Sequence, residues 1–133
     1  MKKINKKKAA VLSVLCVLGI AALCCAYYIS GVISYQNKVK NTVISEVDIS
    51  KISDGVYVGE YDVGYISAKV ELTVESGEII NIVIVEHHQD RGESAERVVD
   101  DIVDEQRIDV DAVTGATNSS VVIKKAVENA LTE

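Results

Sequence analysis

The sequence predicts an α+β protein: a single N-terminal transmembrane helix followed by a small antiparallel sheet packed with two helices. Three observations carry this. An uncharged run fills residues 9–29 behind Lys2, Lys3, Lys6, Lys7 and Lys8. Further on, Ile66, Ala68, Val70, Leu72 and Val74 alternate with Tyr65, Ser67, Lys69, Glu71 and Thr73, the period of a strand with one solvated face. Two later stretches repeat apolar residues at three and four, the period of a helix that buries one stripe. A length of 133 residues holds one domain beside a membrane segment.

About 20 apolar residues span a hydrocarbon core of ~30 Å, whereas a cleavable signal has a shorter apolar region and a small-x-small exit site. Residues 9–33 are therefore expected as an uncleaved anchor. Residues 1–8 form a basic cytoplasmic tail by the positive-inside rule, which places the remainder on the extracytoplasmic side of the cell membrane. Tyr27, Tyr28 and Tyr35 sit where an interfacial aromatic belt would lie. All three cysteines, Cys16, Cys24 and Cys25, fall inside the anchor, so the exported part has no disulfide framework. A lipidated cysteine is the alternative, but a bulky or sulfur side chain stands where a lipobox takes a small one. With the five N-terminal lysines set aside, nine basic residues face twenty acidic ones. A surface near minus eleven repels nucleic acid and anionic headgroups, so no nucleic-acid partner is expected.

Residues 34–53 lack a clean period and read as a stalk, helical at first. Residues 54–133 form the domain. It opens with a short strand over 55–61, followed by the alternating strand, and Glu75-Ser76-Gly77-Glu78 is the turn after it. Residues 79–85 are almost continuously apolar, which predicts a strand covered on both faces, hence central. Ala95, Val98, Val99, Ile102 and Val103 then mark an amphipathic helix. A second helix, expected from near Ser119, sets Val122, Ile123, Ala126, Ala130 and Leu131 inward and Lys124, Lys125, Glu128 and Asn129 outward.

The ten residues from Asp111 to Ser120 carry the clearest chemistry. They place a hydroxyl, Thr117, at a glycine turn just ahead of a helix. A helix N-terminus offers unpaired N–H groups and roughly half a positive charge, so an anion is favoured there. A glycine turn followed by an Asn or Ser N-cap is the plainer reading of the same residues. His87 and His88 with Asp90 raise the question of a metal, yet adjacent strand residues point to opposite faces and do not converge. No glycine fingerprint for a nicotinamide cofactor is present.

Asp111-Ala112-Val113-Thr114-Gly115-Ala116-Thr117 resembles the flavinylation motif Asp-x-x-(Ser/Thr)-Gly-Ala-(Ser/Thr) of the FMN-binding domain family, and each defined position is met. The resemblance runs from Asp54-Gly55-Val56-Tyr57 through Leu131, with His87, Arg91 and Gly92 as further landmarks. It implies FMN joined by a phosphoester to Thr117. It implies a separate Mg-dependent flavin transferase that takes FMN from FAD and releases AMP, reading Asp111 and Gly115. Thr114, Gly115, Ala116, Ser119 and Ser120 complete the motif and the helix start. His87, Arg91 and Gly92 would frame the flavin or its ribityl chain, and Tyr57, Tyr61, Tyr65 or the histidines would supply stacking. The family also includes flavin-carrying subunits of the sodium-pumping NADH:quinone oxidoreductase and the Rnf complex. This chain is similar to the small single-domain members, so it would be an electron-transfer carrier with quinone-linked or other redox partners at the membrane rather than a stand-alone enzyme. An anchored binding module and a noncovalent flavin domain are the competing readings.

Overall fold

In the computed structural model, residues 5–89 and 92–133 are described, and Met1 to Ile4, Asp90 and Arg91 lie outside them. The chain divides after Ser34 into two units. Helix α1 (Lys6–Asn41) supplies the first, and its residues 35–41 belong to the second. It is long and apolar enough to cross a membrane, and its apolar stretch is not buried by protein. At 1.5 Å per residue its 36 residues rise about 54 Å, more than a bilayer core requires.

Three strands form one antiparallel sheet in the order β1 (Gly55–Asp62), β2 (Ser67–Glu75), β3 (Glu78–His88). Short hairpins dictate that order, since antiparallel neighbours need only a tight turn. Ser76 and Gly77 have φ of 53° and 80°, the left-handed pair of a two-residue hairpin. Asp54 Oδ1 accepts the Ser76 amide at 2.7 Å and so ties the start of β1 to that turn. The alternation in β2 appears as expected: Ala68, Val70, Leu72 and Val74 are all buried, as is Ile66 just before the strand.

The expectation for β3 is corrected. The strand lies at the sheet edge, and Ile80, Val83 and Val85 are about half exposed. Register shifts against β2 between Lys69 and Val70 and between Thr73 and Val74 leave Val85 and Ile80 as extra residues. Such bulges break the two-residue period, so an unbroken apolar run does not mean two covered faces.

Helix α2 (Val98–Glu105) follows a 3-10 turn over Glu93–Arg97, and α3 (Thr117–Thr132) closes the fold. Ala95, Val98, Val99 and Ile102 are buried, as are Val122, Ile123, Ala126, Val127, Ala130 and Leu131 of α3. Helix α3 crosses β1 at Gly59, where a Cβ would stand 2.2 Å from the Ala126 carbonyl oxygen and 2.3 Å from the Ala130 nitrogen. Gln106 caps α2 in the left-handed region, and its side-chain amide clasps both the N–H and the C=O of Ile79 at 2.8 Å.

Two residues expected to face water are buried instead: Lys124 and Glu128 are each 6% exposed. Segments from elsewhere cover that side of α3. Lys124 Nζ donates to Asp109 Oδ1 at 2.9 Å and to the Val110 carbonyl at 2.8 Å. Glu128 Oε2 accepts the Ser45 amide at 3.0 Å. Nearly all of the segment expected as a stalk thus belongs to the second unit, with Val39 and Ile49 in the core. Near its end Asp48 and Lys51 form an exposed pair; hydrogen bonds from Lys51 and Ser50 hold the Asp48 carboxyl below its ordinary range.

Candidate functional site

The acceptor segment is a turn bolted to the first turn of a helix. Ala116 N donates to Val113 O at 2.9 Å, and Gly115 has φ of +82°. That is the glycine position of a type II turn. A Cβ at Gly115 would meet nothing within 4 Å, so backbone conformation rather than crowding by the protein itself explains the glycine. Ser120, fully buried, locks the turn: its hydroxyl accepts the Val113 amide at 3.0 Å and donates to Ala116 O at 2.9 Å.

Helix α3 begins at Thr117, two residues earlier than expected, with Ala116 as a cap residue that provides no side-chain bond. The first amide with an i−4 acceptor is that of Ser120, bonded to Ala116 O at 2.9 Å. The amides of Thr117, Asn118 and Ser119 find no acceptor among the described residues. These are the orphan donors that make a helix start attractive to an anion. The Asn or Ser N-cap that would have used them is not formed. Thr117 is exposed, as are Asp111, Thr114 and Gly115, while Ala116 is buried. Among the described residues no side chain hydrogen-bonds the Thr117 hydroxyl.

Beyond β3 the chain returns to this helix start. A Cβ on Gly92 would lie 2.0 Å from Ser119 Oγ and 2.6 Å from Ser119 Cβ, so Gly92 rests directly on the buried Ser119. The Gly92 amide also donates to Gln89 Oε1. His87 is the last residue but one of β3. Its side chain is 2% exposed, and Nδ1 pairs with Glu96 Oε1 at 3.0 Å. Among the described residues its buried Nε2 finds no hydrogen-bond partner, an arrangement that costs free energy unless another group, a ligand or ordered water satisfies it. His88 points the other way, exposed, with Nδ1 3.5 Å from Ser67 Oγ. Arg91 lies outside the described residues. Among the described residues no three His, Cys, Asp or Glu gather where a metal ion could be held.

The tyrosines are not brought to Thr117. Tyr57 and Tyr61 sit on β1, which passes under Ala126 and Ala130, about 14 Å or more of helix rise beyond Thr117. The Tyr57 hydroxyl donates to Ser53 O at 2.8 Å, and that of Tyr61 pairs with Thr42 Oγ1 at 2.9 Å. The Tyr65 ring packs on Tyr35, centroids 5.3 Å apart. Gly59 had a readable signal, since glycine inside a strand pattern marks close backbone approach. Gln106, Lys124, Glu128 and Glu46 had none: their partners lie far away in sequence.

The geometry thus sets an exposed hydroxyl on a helix start without a side-chain cap, with the buried Ser120 bracing the turn before it, in a small α+β domain. The sequence model described as the FMN-binding domain matches residues 64–132, so the chain belongs to the FMN-binding domain family. No curated protein and no solved structure matches it. The matched span covers β2, β3, α2 and α3; β1 and everything before it lie outside. FMN is accordingly the cofactor of this domain.

Proposed function

We propose that the protein is a membrane-anchored extracytoplasmic electron carrier whose FMN is joined through its phosphate to Thr117. The observation that carries this is the exposed Thr117 hydroxyl beside three amides without acceptors among the described residues, inside a complete flavinylation motif in a member of this family. The residues fit the group: the amides of Thr117, Asn118 and Ser119 would hold a phosphate, and His87 Nε2, without a partner among the described residues, would take a polar ligand atom. FMN bound there would supply one-electron and two-electron redox chemistry.

With no hydrogen-bonded base, Thr117 is a weak nucleophile and needs an outside catalyst. A Mg-dependent flavin transferase fits that need. The FAD pyrophosphate bond breaks, the Thr117 oxygen bonds to the FMN phosphorus, AMP leaves and the hydroxyl proton passes to the transferase. Thr114 and Gly115 shape the turn that the transferase reads, and Asp111 offers it a carboxylate. Lysines on the N-terminal side of α1 favour a cytoplasmic N-terminus and an exported domain, where a covalent link prevents loss of cofactor by diffusion. Quinone-linked or other redox partners at the membrane would exchange electrons with it.

The full chain produced with an active transferase and FAD is expected to gain the mass of FMN less water and to stay yellow after denaturation. Colour released by denaturation would favour noncovalent binding. No colour, with a control protein labelled, would return the chain to the class of anchored binding modules.

A further inference from the structure

Residues 43–46, separated from the family-matched span by β1, make contacts that the family match does not cover. Glu46 Oε1 accepts the Asp109 amide at 2.8 Å and Oε2 accepts the Ile108 amide at 3.2 Å. Alongside, the Ser45 amide donates to Glu128 Oε2 at 3.0 Å, and Lys125 Nζ donates to Val43 O at 3.2 Å and to Glu128 Oε1 at 2.8 Å. One short segment therefore grips α3 and the loop before it together. Lys124 closes the arrangement from the helix side through Asp109 and Val110.

The loop between α2 and α3 has no strand ladder for its backbone. Backbone donors in such a loop must find partners elsewhere or go unpaired, and Glu46 supplies two of them. Ile108 and Val110 are buried beside it, so the base of the acceptor loop is fixed while Asp111 and Thr114 to Gly115 stay exposed. Arg107 sits in the same field: its guanidinium is held above its ordinary range chiefly by Glu105, with further attraction from Glu46 and Asp111.

We propose that Glu46, from outside the family-matched domain, is a positioning residue for flavin attachment: its carboxylate fixes Ile108 and Asp109 and thereby sets Asp111 and the Thr117 turn in the shape a transferase reads. This role rests on the acceptor reading above. It makes the membrane-proximal segment part of the acceptor site rather than a passive tether.

The test compares Glu46→Ala, Glu46→Gln and, as a control carboxylate on the open sheet face, Glu60→Ala, each as the full chain in detergent. Amide hydrogen exchange is followed at residues 108–116 and in β2. In parallel the initial rate of FMN incorporation is measured against chain concentration at fixed transferase. Glu46→Ala is expected to speed exchange at Ile108 and Asp109 about tenfold or more, the scale of one hydrogen bond to a charged group, with β2 unchanged. Incorporation at low chain concentration should fall by a similar factor, Glu46→Gln should recover part of both, and Glu60→Ala should match wild type. Unchanged exchange at Ile108 and Asp109 overturns the proposal, as does a rise shared equally by β2, or wild-type incorporation despite a loosened loop. A wild type that takes no FMN overturns the acceptor reading and this role with it. The exchange arm needs no flavin and separates that failure from a failure of the clasp.

Discussion

Gly59 and Gly115 are both held to glycine, for opposite reasons, and substitution separates them. A methyl at Gly59 would strike backbone atoms of Ala126 and Ala130 within 2.3 Å, and backbone cannot swing aside. Gly59→Ala should therefore cost about 3 kcal/mol, at the upper end of overpacking effects, because α3 must lift off β1. At Gly115 there is room on every side, and only the φ of +82° opposes a side chain. Gly115→Ala should cost about 1 kcal/mol through left-handed strain. Denaturant unfolding of both variants checks the order, and equal costs would contradict it. Thr117, Gly115 and Asp111 could be picked out from the sequence because a turn and a helix start are local. Lys124 and Glu128 could not, because periodicity places them on the outer face of α3 and cannot foresee Ser45 or Asp109 arriving there.

Among the elements, β2 shows how far a two-residue period carries, and β3 shows where it stops. Every inward residue of β2 is buried, since a regular ladder keeps alternate side chains on one face. In β3 the two bulged positions interrupt that regularity, and apolar residues stand on a face that no helix covers. Val83, 46% exposed and opposite Glu71, is the informative position. Val83→Lys should change unfolding free energy by no more than about 0.5 kcal/mol, as at an ordinary surface site, and Glu71 would receive the new charge. A loss of about 2 kcal/mol or more would instead mean a buried, central strand. The boundary of α3 was displaced by two residues because Ala116, rather than the Asn or Ser favoured at caps, precedes the first helical residue. The absent cap is what leaves the amides beside Thr117 available.

On the scale of the whole molecule, the folding unit is larger than the family match. The family-model match begins at residue 64, yet β1 pairs along the length of β2, Gly59 seats α3, and Val39 and Ile49 lie in the core. Small domains have little burial to spare. Residues 35–133 should therefore unfold cooperatively, whereas residues 64–133 should give no cooperative transition by circular dichroism; a sharp transition from the shorter piece would contradict this account. The acidic surface and the long apolar helix were legible in composition, and the docking of residues 42–49 was not, for it depends on partners up to 83 positions away. The central claim is that one hydroxyl carries the cofactor. Peptide mass spectrometry of the full chain, after production with transferase and FAD, tests it most directly in wild type, Thr117→Ala and Thr114→Ala. Wild type should carry FMN less water on the Thr117 peptide, Thr117→Ala none, and Thr114→Ala should keep any label on Thr117. An FMN mass that persists in Thr117→Ala, or a wild-type peptide left bare beside a labelled control protein, would contradict the account.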